Sequence, residues 1–166
     1  MTTGKADVAG IARSGVLTLL VGGAALGCGG NPSAPSASDL RQAPESVAVG
    51  GKTLRLTTEL WRDFMPISPP DGKPLVARLV VSTFDGSPFP SGLSVERTWL
   101  FLGDQTWETA DLQPESQQVG SPSLAVVARD GPKWGPGVTI DVVVRMTDSR
   151  ATYLLQARGQ PIKATY

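Results

Sequence analysis

The chain has no histidine, one cysteine and a 6% share of aromatic residues, and its charges cancel, with 15 Lys plus Arg against 15 Asp plus Glu. Without histidine there is no Ser-His-Asp or Cys-His relay, no imidazole general base and no His-ligated zinc, copper or haem. A single cysteine excludes an internal disulfide, a Cys-x-x-Cys redox pair and a Cys-rich metal cluster. Zero net charge leaves no basic footprint, so nucleic acid is not expected as a partner. Gly-x-Ser-x-Gly and Ser-x-x-Lys are also missing, and with them the elements of the serine hydrolases and penicillin-binding enzymes. Gly50-Gly51-Lys52-Thr53 has the tail of a phosphate-binding loop, but the glycine required five positions before Gly51 is Ser46, and a strand rather than a helix is expected to follow.

What is present begins with a processing signal. Lys5 and Arg13 form a short positive n-region, and Gly15 to Leu26 (GVLTLLVGGAAL) is an uncharged run of h-region length, short of the roughly 20 apolar residues that span a bilayer. The run ends at Ala25-Leu26-Gly27-Cys28. Small residues ahead of a lone cysteine resemble the lipobox of bacterial lipoproteins. The resemblance implies cleavage after residue 27, a diacylglyceryl group on the Cys28 thiol and an acylated (palmitate-type) new amino terminus. Two or three acyl chains make a firm anchor, because each buried methylene adds about 0.8 kcal/mol. Removing residues 1–27 leaves 13 − 14 = −1, so lipid rather than charge is expected to hold the protein at the membrane. Gly29 is not the Asp that this family associates with inner-membrane retention, which points to the outer membrane where a cell has two, with the domain in the periplasm or on the surface. Gly29 to Pro44 (GGNPSAPSASDLRQAP) has the composition of a flexible tether, of root-mean-square reach roughly 20 to 25 Å. The expected organisation is a leader at 1–27, an acylated Cys and tether at 28–45, and a folded domain at 46–166.

From Ser46 onward, short apolar stretches are punctuated by Gly, Pro, Asp and Ser, with no sustained helical period. Thr53 to Trp61 alternates, with Leu54, Leu56, Thr58 and Leu60 set to face a core and Arg55, Thr57, Glu59 and Trp61 on the other side. Leu75 to Phe84 and Val138 to Met146 are rich in β-branched residues and read as central strands. Further strands are predicted at Ser46 to Val49, Val95 to Leu102, Thr106 to Asp111, Ser123 to Arg129, Ala151 to Ala157 and Ile162 to Thr165, with tight turns at Gly103-Asp104 and Asp148-Ser149-Arg150. About seven to nine strands suit an all-β, antiparallel β-sandwich resembling immunoglobulin-like domains in architecture alone; a closed barrel is the alternative.

Successive antiparallel strands reverse direction, so alternate connections emerge at one end. Arg62 to Pro74, Gly103 to Gln105 and Asp130 to Gly137 are thereby expected at a common pole, with Asp85 to Ser94 and Leu112 to Pro122 at the other. The first pole collects Trp61, Phe64, Met65 and Trp134, the partner-binding candidates. Arg62 to Pro74 is a long loop stiffened by four prolines, suited either to recognition through Phe64 and Met65 or to capping the end of the domain. Trp134, set among Gly and Pro, is either an interface anchor or a lid on the core. Trp99 and Trp107 are expected to pack across strands. Asp63, Asp71, Asp104 and Asp130 are candidate calcium ligands, and the same pool could supply a paired acid and base, although turn formation explains each one.

The sequence therefore points to an envelope lipoprotein with a non-catalytic binding or assembly module that uses no cofactor. Its expected partners are the membrane, through the anchor, and an envelope protein or glycan. The alternative is a small envelope hydrolase or calcium-dependent enzyme using the loop aspartates.

Overall fold

The computed structural model describes residues 35–166. Cys28 and the leader lie outside the described residues, as does part of the stretch read as a tether. Among the described residues no helix is long and apolar enough to cross a membrane.

The domain is all-β. One short helix, α1 (Ala37–Arg41), precedes nine strands: β1 (Ser46–Val49), β2 (Lys52–Asp63), β3 (Leu75–Thr83), β4 (Ser94–Leu102), β5 (Gln105–Thr109), β6 (Leu112–Pro114), β7 (Ser123–Gly131), β8 (Thr139–Thr147) and β9 (Thr152–Thr165). They are hydrogen-bonded in the order β5-β4-β8-β9-β2-β3-β7-β6, with β1 added to β2. The two end strands, β5 and β6, are consecutive in the chain and separated only by Ala110 and Asp111, which brings the sheet near to closure.

Gly50 and Gly51 form the two-residue turn between β1 and β2, both at positive φ (57° and 78°), as a primed hairpin turn demands. The apparent phosphate-loop tail is thus a hairpin. At β8–β9 the Asp148 Oδ1 accepts hydrogen bonds from the amides of Arg150 and Ala151, each 2.8 Å, and so holds the turn. Along β2 the inward set Leu54, Leu56 and Leu60 is buried and the outward Arg55, Thr57 and Glu59 are exposed. These leucines pack with Leu75, Leu79 and Val81 of β3, Leu100 of β4, Val142 and Met146 of β8, and Leu155 of β9 in one core.

Three features depart from the sequence-based expectations. First, one neighbour pair is parallel. The stretches Ala151 to Ala157 and Ile162 to Thr165, expected as separate strands, are one strand, β9, which pairs antiparallel with β8 over Thr152–Pro161 and parallel with β2 over Ile162–Thr165. An extra residue at Arg158–Gly159, with Gly159 at φ 62°, makes a bulge that bends the strand from one partner to the other. β2 and β9 run toward the same end, so once adjacent they are necessarily parallel.

Second, Leu112–Pro114, expected as loop, is strand β6 on the edge beside β7. β5 and β6 run in the same direction on opposite edges, as two halves of a single pass. The extra strand therefore leaves the up-and-down parity of the later strands unchanged.

Third, the last part of the stretch read as a free tether is packed on the domain. Ser36 caps α1: its hydroxyl accepts from the Asp39 amide (3.2 Å), and the Asp39 carboxylate accepts from the Ser36 amide (3.0 Å). Leu40 and Ala43 are buried against Trp99, Phe101 and Val143 on the outer face of β4 and β8. Arg41 Nη2 donates to the Gly103 carbonyl (2.9 Å), and the Gln156 amide donates to the Pro44 carbonyl (2.9 Å). This cover explains why Thr98 to Phe101 and Val142 to Val144 are buried on both faces of their strands.

Candidate functional site

One more step along the inward set of β2 beyond Leu60 places Arg62 in the core position at the strand's end, where it is only 3% exposed. A buried guanidinium must have its donors met. Arg62 meets them with backbone carbonyls of two loops. Nε donates to Lys73 O (2.9 Å), Nη1 to Lys133 O (3.1 Å) and Gly135 O (2.6 Å), and Nη2 to Asp71 O. The planar fork suits this divergent set in a way that a lysine ammonium would not. The loop after β2 (64–74) and the loop after β7 (132–138) are thereby clamped to one side chain, and their meeting point is the pole expected from strand parity.

The first of these loops is held at many points. Asp63 Oδ1 accepts from the Met65 amide (2.8 Å) and Oδ2 from Lys73 Nζ (2.8 Å). The Phe64 amide donates to Thr165 O (2.8 Å), and its ring lies under the Arg62 guanidinium, 5.0 Å from the ring centroid. Gly72, at φ 75°, is pressed against that ring, and a Cβ there would fall 2.6 Å from a ring carbon. Internal turns close the tip through Ser68 N to Met65 O (2.7 Å) and Gly72 N to Pro69 O (2.8 Å). Asp71 Oδ2 meets Lys133 Nζ of the other loop at 2.5 Å. What this framework leaves in solvent is Met65, 47% exposed, and Ile67, 88% exposed, in a stretch without a charge from Phe64 to Pro70.

The four partner-binding candidates divide. Phe64 and Trp134 are half-buried and used in packing: Trp134 sits against the core and donates Nε1 to Gln105 Oε1 (2.7 Å), which brings the β4–β5 connection to the same pole. Trp61 is on the outward face of β2, between Val76 and Lys163 in the sheet register. Met65 alone is broadly exposed. Trp99 and Trp107 stand on opposite faces of their hairpin: Trp99 donates to Glu108 (2.6 Å) and packs with Leu40, whereas Trp107 lies across from Leu100 against the main core.

The aspartates are not gathered. Lys73 and the Met65 amide hold the Asp63 carboxyl below its ordinary pKa, and Lys133 does the same for Asp71. Asp104 occupies the β4–β5 turn, and Asp130 sits at φ 58° in a bulge of β7 opposite Leu75–Ala77. Among the described residues no group of three His, Cys, Asp or Glu side chains could hold a metal ion. Neither Asp63 nor Asp71 has the raised pKa that a carboxylic proton donor requires.

At the other pole two open grooves lie between loops. One, of about 550 Å³, is bordered by Lys52, Phe89, Asp148, Arg150 and Tyr153; the other, of about 310 Å³, lies between Pro88–Leu93 and Gln117–Ser121. Sequence reasoning assigned no site there. It also missed Arg62 and Ile67. The signal for Arg62 is its place as the next inward position of β2 after Leu60, and that for Ile67 is its place at the centre of the uncharged, proline-rich stretch Phe64–Pro70.

No protein-family model matches the chain, and searches of curated proteins and of solved structures gave no significant match.

Proposed function

We propose that the chain is a bacterial envelope lipoprotein, acylated at Cys28 and attached to the outer membrane where two membranes exist. In this proposal it carries a non-catalytic β-sandwich of immunoglobulin-like architecture that acts as a docking module. The sandwich description is supported by the two seams in the strand order, one at the bulged strand β9 and one between the consecutive strands β5 and β6. The carrying observation for docking is the Arg62 clamp, which ties down the loop after β2 while leaving Met65 and Ile67 of its uncharged Phe64–Pro70 stretch in water. Ordering a loop before contact removes part of the entropy cost of binding, and exposed apolar groups supply the contact. The alternative, an enzyme using the loop aspartates, draws no support from carboxylates already paired with lysines.

The test is twofold. Intact mass of the protein from membranes should show a mature chain beginning at Cys28 and carrying acyl groups, and Cys28→Ser should abolish the modification and release the domain from the membrane fraction. Photo-crosslinkers at positions 67 and 134 should give adducts at 67 in the native envelope and far fewer at 134. An unmodified Cys28 would remove the anchor, and an empty crosslink at 67 would remove the docking surface.

A further inference from the structure

The larger of the two grooves at the far pole is bordered by the Gly50–Gly51 turn, the loop after β3 and the β8–β9 turn. Strands reach it only within a residue of their ends, at Val49, Lys52 and Tyr153. We propose that this groove of about 550 Å³ binds an acidic saccharide, a sugar ring carrying a carboxylate, with Arg150 and Lys52 meeting the acid and the Phe89 and Tyr153 rings lying against the sugar. The site is at the pole opposite Met65 and Ile67, and it depends neither on the Cys28 anchor nor on docking through the loop after β2.

The charges that border the groove are unequal, with Lys52 and Arg150 set against a single carboxylate, Asp148. That carboxylate is already engaged. Its Oδ1 accepts from the Arg150 and Ala151 amides, each at 2.8 Å, and the Tyr153 hydroxyl donates to Oδ2 (3.4 Å). Asp85, outside the lining but close enough to feel the Lys52 charge, accepts from the Ser87 amide (3.0 Å). The Arg150 guanidinium forms no ion pair or side-chain hydrogen bond with another described residue, and it is exposed. Its planar fork of N–H donors is matched in shape and charge by a ligand carboxylate.

The walls are fixed in place. Phe89 and Tyr153 are half-buried, packed on the main core while they line the groove. The loop that carries Phe89 is tied down by Lys52 Nζ donating to Pro88 O, the Phe89 amide to Ser121 O (2.8 Å) and Thr83 Oγ1 to Ser87 O (2.6 Å). A preformed site lowers the ordering cost of binding, and the volume falls in the range of roughly 300–1,000 Å³ typical of small-molecule sites. A bare inorganic anion would leave the two rings unused. An extended peptide would find no continuous strand edge along the groove to pair with. A carboxylated sugar uses the whole lining: its acid meets Arg150 and Lys52, its hydroxyls meet Ser91 and Ser149, and its C–H face lies on an aromatic ring.

Calorimetric titration of the full chain tests this, with trigalacturonate and sialyllactose as acidic probes and galactotriose and lactose as their uncharged counterparts. The expected result is saturable binding of at least one acidic probe, about tenfold or more weaker for its uncharged counterpart and for Arg150→Gln, and weakened by added salt. Arg150→Gln should keep the wild-type Tm, because its side chain bonds to nothing in the fold, and Lys163→Gln, an exposed cation of β9 beside Trp61, should bind as wild type does. Failure of both acidic probes to saturate up to about 10 mM would overturn the proposal. Equal binding of the uncharged counterparts would overturn the role of the acid, and undiminished affinity in Arg150→Gln would overturn the location. Inorganic phosphate competing as strongly as the acidic probe would overturn the saccharide in favour of a simple anion.

Discussion

Replacing Arg62 by Met keeps the apolar length of the side chain and removes every donor. The carbonyls of Asp71, Lys73, Lys133 and Gly135 then lose their partner together. A hydrogen bond to a charged group contributes about 1.5–3 kcal/mol net, and four would sum to well above what single substitutions cost. Two effects reduce that sum: the wild type bears the desolvation of a buried guanidinium, and in the variant water can reach carbonyls near the loop surface. The balance is a loss of about 3–5 kcal/mol, the range for removing one partner of a buried charged network. For a domain of this size that lowers Tm by about 10–20 °C. Arg62→Lys retains the charge but not the planar fork, so it should recover less than half of the loss. Thermal unfolding of the full chain by circular dichroism, for wild type and both variants, reads these values. A Tm for Arg62→Met within about 2 °C of wild type, or Arg62→Lys equal to wild type, would refute the clamp.

Gly72→Ala combines a positive φ with a Cβ driven into the Phe64 ring, and should cost about 2–4 kcal/mol; Gly86→Ala, also at positive φ but facing open space, should cost about 1 kcal/mol, and equal shifts in Tm would contradict the packing of Phe64. Asp63 and Asp71 have folded-state pKa values below the usual 3.8, so their stabilising contribution is complete above that value and is lost as pH falls through the lowered one. Tm should therefore decline below about pH 4, and the double variant Asp63→Asn, Asp71→Asn should show a shallower decline in the same scan. Leu40→Ala should destabilise the docked segment by about 2–3 kcal/mol and expose the chain before Ser46 to limited proteolysis; unchanged protection would mean that the segment is not held by this contact.

Alternation and turn chemistry made most of the strands legible. The period-two pattern of Thr53 to Trp61 assigned its buried face correctly, and the glycine and aspartate turns at 103–104 and 148–150 appear as hairpins. Strand parity alone brought the loops after β2, β4 and β7 to one pole. Local pattern was silent where the deciding contact is distant. The alternation did not reveal that the inward set of β2 ends in an arginine, because an arginine is tolerated there only through carbonyls supplied up to 73 residues away. The polar, proline-flanked ASDLR stretch looked like linker because its two apolar anchors, Leu40 and Ala43, are too few to show a period.

The sequence by itself determined the all-β class, most strand positions and the grouping of loops, since these follow from side-chain alternation, turn residues and the reversal of successive strands. Tertiary structure alone decided that β9 bends from β8 to a parallel pairing with β2, that the 36–44 segment covers an outer face, and that Trp134 packs while Met65 and Ile67 stay in water. Each of those outcomes depends on which distant surface or carbonyl lies within reach. That is a property of the assembled chain, and no local pattern of residue types encodes it.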